Sequence, residues 1–527
     1  TSVPKIRRRP SVIRSIPAWI YAGWGSDLGI YYGLTTSVIN NGALFPSYTG
    51  WGQSYEHFPV LYAVTAVPHM LTGSDQFWLM TKIAPVFGGL SVAFAYFIAR
   101  NAGLGRQAAL LAMALLAVNS IHVYQTSHAA PLTMGHFFLM ACIYLLTKPA
   151  VSRTDWALLI AATALLVGSH HFTTYMYLLS LPAMVTLQRR SPSKAHIAYI
   201  AFVAGLAFAY WGLVATEVLA FVKTGTGLPW PAIIPAYAAF VAAAIILRGR
   251  FKTAVDWLSK PFSRSYENLK FWLAFSVLAC TIALLAIVGN PAVALRITPM
   301  LAIYSIPIFA ILAFGAVGVG RTAGLERGPE IVGWFAAIAL SMVLALAVGS
   351  DILLPERHLE YLMEPLSLFA AVGMAYLLAP SLEKAFSLET TRRFISFGPK
   401  NGELVRGSDS TFISDVRSAT PGSSQSGNGR GVWIDERGWK VGSRAIVPVL
   451  VVALLIGSAL ASYRMAPEIG FDERISEEDM DAIDWLCQNA TPAFSVATDH
   501  RLGTQLEAVG LRATFEGGAD LWNATNW

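Results

Sequence analysis

ITPMLAIYSIPIFAILAFGAVGVGR, residues 297–321, carries no charge until its closing arginine, and Arg296 stands just before it. A helix of this length, rising about 1.5 Å per residue, outspans a hydrocarbon core of about 30 Å. Arginines at both ends of an apolar run are the mark of a membrane-spanning helix. Working outward, the same kind of run recurs at roughly 76–99, 107–124, 132–147, 155–169, 172–188, 197–219, 230–247, 271–289, 331–349, 361–380 and 445–462. The reading is an all-α polytopic membrane protein with about 12–13 transmembrane helices. Composition agrees: over 527 residues, 55% are hydrophobic and 13% charged, with a mean hydropathy of +0.52. Soluble chains carry roughly a quarter charged residues. An ordinary cytosolic enzyme, a disordered chain and a disulfide scaffold are therefore excluded. An open sheet in lipid would leave its edge amides unpaired, and the runs lack the alternation of a transmembrane barrel.

The net charge of +6 does not read as nucleic-acid binding, because much of the excess falls in short loops between runs. If 76–99 crosses from outside to inside, the inside loops collect Arg100, Arg106, Lys148, Arg153, Arg189, Arg190, Lys194, Arg248, Arg250, Lys252, Lys260, Arg264, Lys270, Arg321 and Arg327. The outside loops between helices keep little beyond Lys223, Arg296 and Arg357. This positive-inside pattern predicts five regions. Residues 1–75 form an outside, aromatic-rich loop with surface helices, and 76–380 the transmembrane domain. Residues 381–442 form a cytoplasmic loop, rich in Ser and Gly around Pro421–Gly431 and partly disordered. The last spanning helix follows at 445–462, and 464–527 is an outside soluble α/β segment. The expected setting is the plasma membrane with the active site outside. Thr1 reads as a start inside a longer sequence, with one further helix upstream. The competing arrangement lets residues 10–25 span, with Arg14 snorkelling. Cys142, Cys280 and Cys487 predict no disulfide.

In the tail, Ser476 followed by Asp479 predicts a helix start, with Trp485 and Leu486 on the apolar side. Phe494–Thr498 predicts a strand and 500–509 a helix.

Ionisable groups in a membrane chain are functional candidates, and the charge register gathers nearly all the histidines on the outer face. His122, His128 and His136 are among them, with the acids Asp27, Glu56, Glu217, Glu360 and Glu364. Asp27, in Trp24-Gly25-Ser26-Asp27-Leu28-Gly29-Ile30-Tyr31-Tyr32, can take a proton from an attacking hydroxyl or cap the next helix. Glu56 and His57 lead into Phe58-Pro59-Val60-Leu61-Tyr62, and the aromatics here can stack on sugars or form an interfacial belt. His170 and His171 could join these groups around a divalent metal such as zinc, or simply end a helix. Arg357, in Pro355-Glu356-Arg357-His358, can clamp a phosphate through paired hydrogen bonds, or pair with Glu356 or Glu360.

These residues resemble the GT-C glycosyltransferases, polytopic enzymes that use polyprenyl-phosphate sugar donors. Asp27 with the Tyr31-Tyr32 pair resembles their first-loop acid. Glu56–Tyr62 is similar to a His-Pro-Pro-Leu segment of protein O-mannosyltransferases and lipid A aminoarabinose transferases, with Phe58 in place of the first proline. Arg357 looks like a donor-phosphate arginine. The tail from Ile483 to Asp499 resembles the approach to the Trp-Trp-Asp-Tyr-Gly motif of the oligosaccharyltransferase catalytic subunit. That motif's tryptophan pair is absent, since the chain reads Ala497-Thr498-Asp499-His500-Arg501. Tyr124–Pro131 also lacks the carboxylates of a second acidic pair. The resemblance implies inverting glycosyl transfer. Asp27 would be the catalytic base, Arg357 and Arg296 would hold the donor phosphate, and Glu56, His57, His128 and Tyr31 would meet substrate. The acceptor stays open among glycan, lipid and protein. A transporter of lipid-linked sugars would show inverted repeats and midplane polar residues. A non-enzymatic scaffold would tolerate alanine at Asp27 and Arg357.

Overall fold

The computed structural model describes residues 10–48, 52, 54–226, 229–288, 298–348, 353, 355–385, 443–463, 473–491 and 495–514. Arg296, the linker from 386 to 442 and the tail after 514 lie outside the described residues.

Within the described residues, every apolar run of the sequence coincides with helix. The chain opens with α1 (Pro10–Ile20), β1 (Gly23–Trp24), α2 (Leu28–Asn41) and α3 (Val60–Thr72). Then come α4 (Gln76–Asn101), α5 (Arg106–Val118), α6 (Ser120–Thr126), α7 (Pro131–Leu146), α8 (Arg153–Val167), α9 (His171–Leu187), α10 (Lys194–Leu213) and α11 (Thr216–Thr226). The bundle continues through α12 (Trp230–Ile246), α13 (Arg248–Leu258), α14 (Arg264–Val288), α15 (Pro299–Ala323), α16 (Gly328–Val348), α17 (Pro355–Ala385) and α18 (Ser443–Ala461). The tail holds β2 (Arg474–Ile475), α19 (Glu477–Asn489), β3 (Ser495–Ala497), α20 (His500–Ala508) and β4 (Arg512–Thr514).

Among the described residues, six helices are long and apolar enough to cross a membrane, and up to eight if each bent pair is one span. One bent pair is α5–α6, which turns by 65° at Asn119. Several of the remaining runs form helices of 17 residues or fewer. Hydropathy locates the apolar helices but does not say how they bend. The 10–25 span is not formed: α1 covers 11 residues, about half the length a crossing needs, and it packs along α4.

Helix packing follows the membrane rule of small residues at close approaches. A Cβ on Gly318 of α15 would lie 1.8 Å from the Phe369 carbonyl of α17, and one on Gly373 would lie 2.0 Å from that of Phe314. The basic loops meet at one end of the bundle, where their arginines donate to exposed helix-end carbonyls. Arg248 reaches Thr186 at 2.9 Å and Arg190 at 2.9 Å. Arg189 reaches Gly324 at 3.0 Å, and Arg321 lies 4.0 Å over the Tyr376 ring.

At the other end, a second core forms from Leu28, Tyr31, Leu34, Leu61, Tyr62, Met80, Met134 and Ile475. Ile475 belongs to the tail, so the tail is part of this core. β1 and β2 pair antiparallel, Gly23 with Ile475 and Trp24 with Arg474. The tail follows its sequence closely. Ser476 and Asp479 form a reciprocal capping box, β3 and β4 pair in parallel, and α20 begins at His500. Trp485 departs from expectation. It is 62% exposed, and Ile483 takes the buried position instead.

α20 lies against α2 at Gly29, where an added Cβ would stand 2.2 Å from the Thr504 carbonyl. Gly29→Ala should therefore force the two helices apart. A destabilisation of about 1–3 kcal/mol is expected, read as faster proteolysis of the tail in detergent. An unchanged cleavage rate would show that the tail does not depend on this contact.

Candidate active site

Asp27 occupies the N-cap position of α2, yet its side chain makes no capping hydrogen bond. The carboxylate turns elsewhere. Oδ2 accepts from the Tyr55 hydroxyl at 3.0 Å and, more weakly, from Tyr31 at 3.4 Å. Oδ1 pairs with His500 Nε2 at 2.9 Å. The side chain remains 19% exposed. An acid free of its local duty, aimed by three donors and still open to solvent, has the geometry of a reacting group.

The loop beneath Asp27 is fixed by the tail. The Glu473 carboxylate accepts from the Ser26 amide and from the Tyr124 hydroxyl, the latter at 2.6 Å. Its backbone carbonyl accepts from Gly25 at 2.9 Å, and the Thr504 hydroxyl donates to the Ser26 carbonyl at 2.8 Å. Asp27 therefore depends on residues more than four hundred positions away. Asp479 and Arg501 brace this tail through a 2.6 Å ion pair; against partial burial, the Ser476 amide and then Arg501 hold the Asp479 carboxyl below its usual range.

Tyr55 links the base to the cation. Burial and the Asp27 charge raise its hydroxyl well above the ordinary tyrosine range, while the Arg357 charge opposes them. Arg357 lies in the first turn of α17, and its charge also reaches His170 and His171.

The remaining sequence candidates distribute as follows. Tyr31 is buried with its ring 5.2 Å from that of Tyr55, so it supports Asp27 from below. His128 is buried between Trp24, at 6.1 Å, and Tyr124, at 4.8 Å. Burial lowers its basicity, while the Glu473 and Asp27 charges oppose this. Glu56 and His57 pair with each other at 3.3 Å, and His57 pairs with Glu217 at 3.0 Å. Burial raises the Glu56 carboxyl, with His57 opposing. Phe58 is buried beside His171 and Tyr210, so the Glu56–Tyr62 segment serves largely as an anchor. His170 caps α9 through the Thr173 amide, the bland role of a helix-end histidine, and its ring lies tilted 4.9 Å from that of His171. The four residues Glu56, His57, His170 and His171 do not converge on one point.

Glu360 and Glu364, expected near the outer face, are buried among helices, at 1% and 0% exposure. His122 and His136 are equally buried. Among the described residues, His122, His136 and Glu364 form the group whose ligand atoms all lie within 4.8 Å of one another. Sequence reasoning passed over Tyr55, Tyr124, Glu473 and His500. Of these only His500 carried a local cue, its place directly after Asp499, the residue that caps α20.

No family model matches the sequence, and no curated protein matches it. Solved structures do match. One is the Archaeoglobus fulgidus oligosaccharyltransferase tethered to an acceptor peptide containing the NVT sequon, at 14% identity and a TM-score of 0.52, covering 96% of this chain and 63% of that one. Another is the same archaeon's oligosaccharyltransferase AglB in complex with an inhibitory peptide and a dolichol-phosphate, at 14% identity and a TM-score of 0.50, covering 95% and 63%. ArnT from Cupriavidus metallidurans bound to undecaprenyl phosphate aligns at 13% identity and a TM-score of 0.44, over 96% and 84%. The chain thus spans about 63% of the length of the oligosaccharyltransferase. An all-helical membrane bundle capped by an acid-bearing first loop and a small tail is the fold of the GT-C glycosyltransferases, and this chain has that fold.

Proposed function

We propose that the protein transfers a sugar from a polyprenyl-phosphate-linked donor to a glycan, lipid or protein acceptor at the bundle end that carries Asp27. The observation that carries this reading is the Asp27 carboxylate, which leaves its helix uncapped and is aimed by Tyr55 and His500. Asp27 takes the acceptor's proton as the acceptor atom bonds to the anomeric carbon. The bond from that carbon to the phosphate oxygen breaks on the opposite side, so configuration inverts. Arg357 receives the charge that develops on the leaving phosphate. Such preorganised charge stabilisation is a major part of catalysis. The prenyl chain stays in lipid, so the phosphate belongs at the membrane surface, and Arg357 in the first turn of α17 is the cation offered to it. The dolichol-phosphate held by one structural neighbour, the archaeal oligosaccharyltransferase AglB, supports a donor of this chemistry.

The test is transfer of radiolabelled sugar from a polyprenyl-phosphate donor by the purified full chain in detergent. Label appearing in an acceptor fraction supports the reading. Donor lipid that is bound but never consumed, across glycan, lipid and peptide acceptors, would overturn it.

The charge alternation supports a site on the outer face. A Ser410→Cys variant lacking the native cysteines should react with an impermeant maleimide only after permeabilisation. Labelling in intact cells would place the linker, and with it the whole register, the other way round.

A further inference from the structure

The geometry points to a divalent transition-metal site, of the kind zinc occupies, buried inside the helix bundle and held by His122, His136 and Glu364. The ligands include none of the residues around Asp27, and the site does not rest on the proposed transfer reaction. α6, α7 and α17 each supply one ligand. The 65° bend at Asn119 is what brings His122 in, because Asn119 caps the short α6 by accepting from the His122 amide at 3.2 Å.

The distances suit an ion. Glu364 Oε1 lies 2.8 Å from His136 Nδ1 and 3.5 Å from His122 Nε2. Ligands about 2.0–2.1 Å from a common zinc stand roughly 3.2–3.5 Å apart, so a shift of a few tenths of an ångström at His136 admits the ion. All three side chains are fully buried. Two imidazoles with one carboxylate match zinc's nitrogen and oxygen preference, with a fourth position open.

A second observation comes from Glu360. It is 1% exposed, and neither of its oxygens has a hydrogen-bond partner. One of them lies 3.9 Å from His136 Nε2. A metal on Nδ1 requires the proton of His136 to sit on Nε2, facing this carboxylate. Glu360 is then the outer carboxylate that fixes a metal-binding histidine's tautomer. The dication balances two carboxylates that would otherwise be costly in an apolar bundle. The consequence reaches the nearby end of each helix. α6 carries Tyr124, α7 starts just after His128 and α17 starts at Pro355, two residues before Arg357, so one ion fixes three elements that frame Asp27.

The experiment uses the full chain, expressed with zinc supplied and purified in detergent with chelator in the buffers. Metal is counted by mass spectrometry, and cobalt-loaded protein is examined by visible absorption. About one zinc per chain is expected, with intense cobalt bands of low coordination number. His136→Gln/Glu364→Gln should abolish both. Glu360→Gln should keep the stoichiometry but weaken affinity roughly 10–100-fold. Zinc retained by the double variant, or no metal in the parent, would overturn the assignment and leave a plain buried ion pair. If the double variant fails to fold, the parent's cobalt spectrum decides, and weak octahedral bands count against the site.

Discussion

Asp27→Asn should lower turnover by roughly 10²–10⁴-fold while donor binding persists. The amide has the shape of the carboxylate and keeps one accepting oxygen for His500, and the Tyr55 hydroxyl can turn to accept from the new NH₂. Neither neighbour is left buried and unpaired, so the loop should hold. What is lost is the ability to take a proton from the acceptor. Transfer rate and donor affinity therefore separate. Single-turnover sugar transfer measures the first, and donor-induced thermal stabilisation the second. His500→Gln is a useful companion. If His500 only orients the carboxylate, the loss should be smaller and the acid limb of the pH–rate profile should stay where it is. Near-normal transfer by Asp27→Asn would remove Asp27 from the chemistry.

The bundle was legible because lipid imposes a simple rule. Any run long and apolar enough must be helical, and all twelve runs are. Local signals were equally readable. Ser476 with Asp479 forms the capping box its spacing implies, and Asp499 caps α20. The setting of Asp27 was not legible, because its partners are distant. His500 is 473 positions away and Glu473 joins Ser26 across 447. The strand pair that holds them is two residues long on each side, too short to show a period. The burial of the histidines was not legible for a different reason. Charge alternation assigns a residue to a membrane face by the loop it lies near. It does not say that α5–α6 bends by 65° and carries His122 into the bundle, or that Glu360 and Glu364 sit one and two turns inside α17. Trp485 departs from the reading because Ile483, two positions before it and so on the opposite side of the helix, faces the core.

Arg357→Ala should weaken donor binding and turnover together. One charge-stabilising donor of this kind is worth about 10²–10³-fold in rate. Arg357 lies in the first turn of α17, where unpaired amides and the helix dipole already favour an anion. Its charge and that of Asp27 act on the same Tyr55 hydroxyl, so base and cation flank one small region rather than two separate ones. A donor bound there would present its phosphate to Arg357 and its anomeric carbon toward Asp27, the arrangement inversion requires. Arg357→Lys tests the contact itself. An ammonium restores the charge but not the two parallel hydrogen bonds of a guanidinium, so rescue should be partial, better in donor affinity than in turnover. If Arg357→Ala left donor affinity unchanged and slowed only the release of product lipid, the arginine would belong to exit rather than to the leaving group. If Lys restored full activity, the bidentate clamp would be wrong and a point charge would suffice.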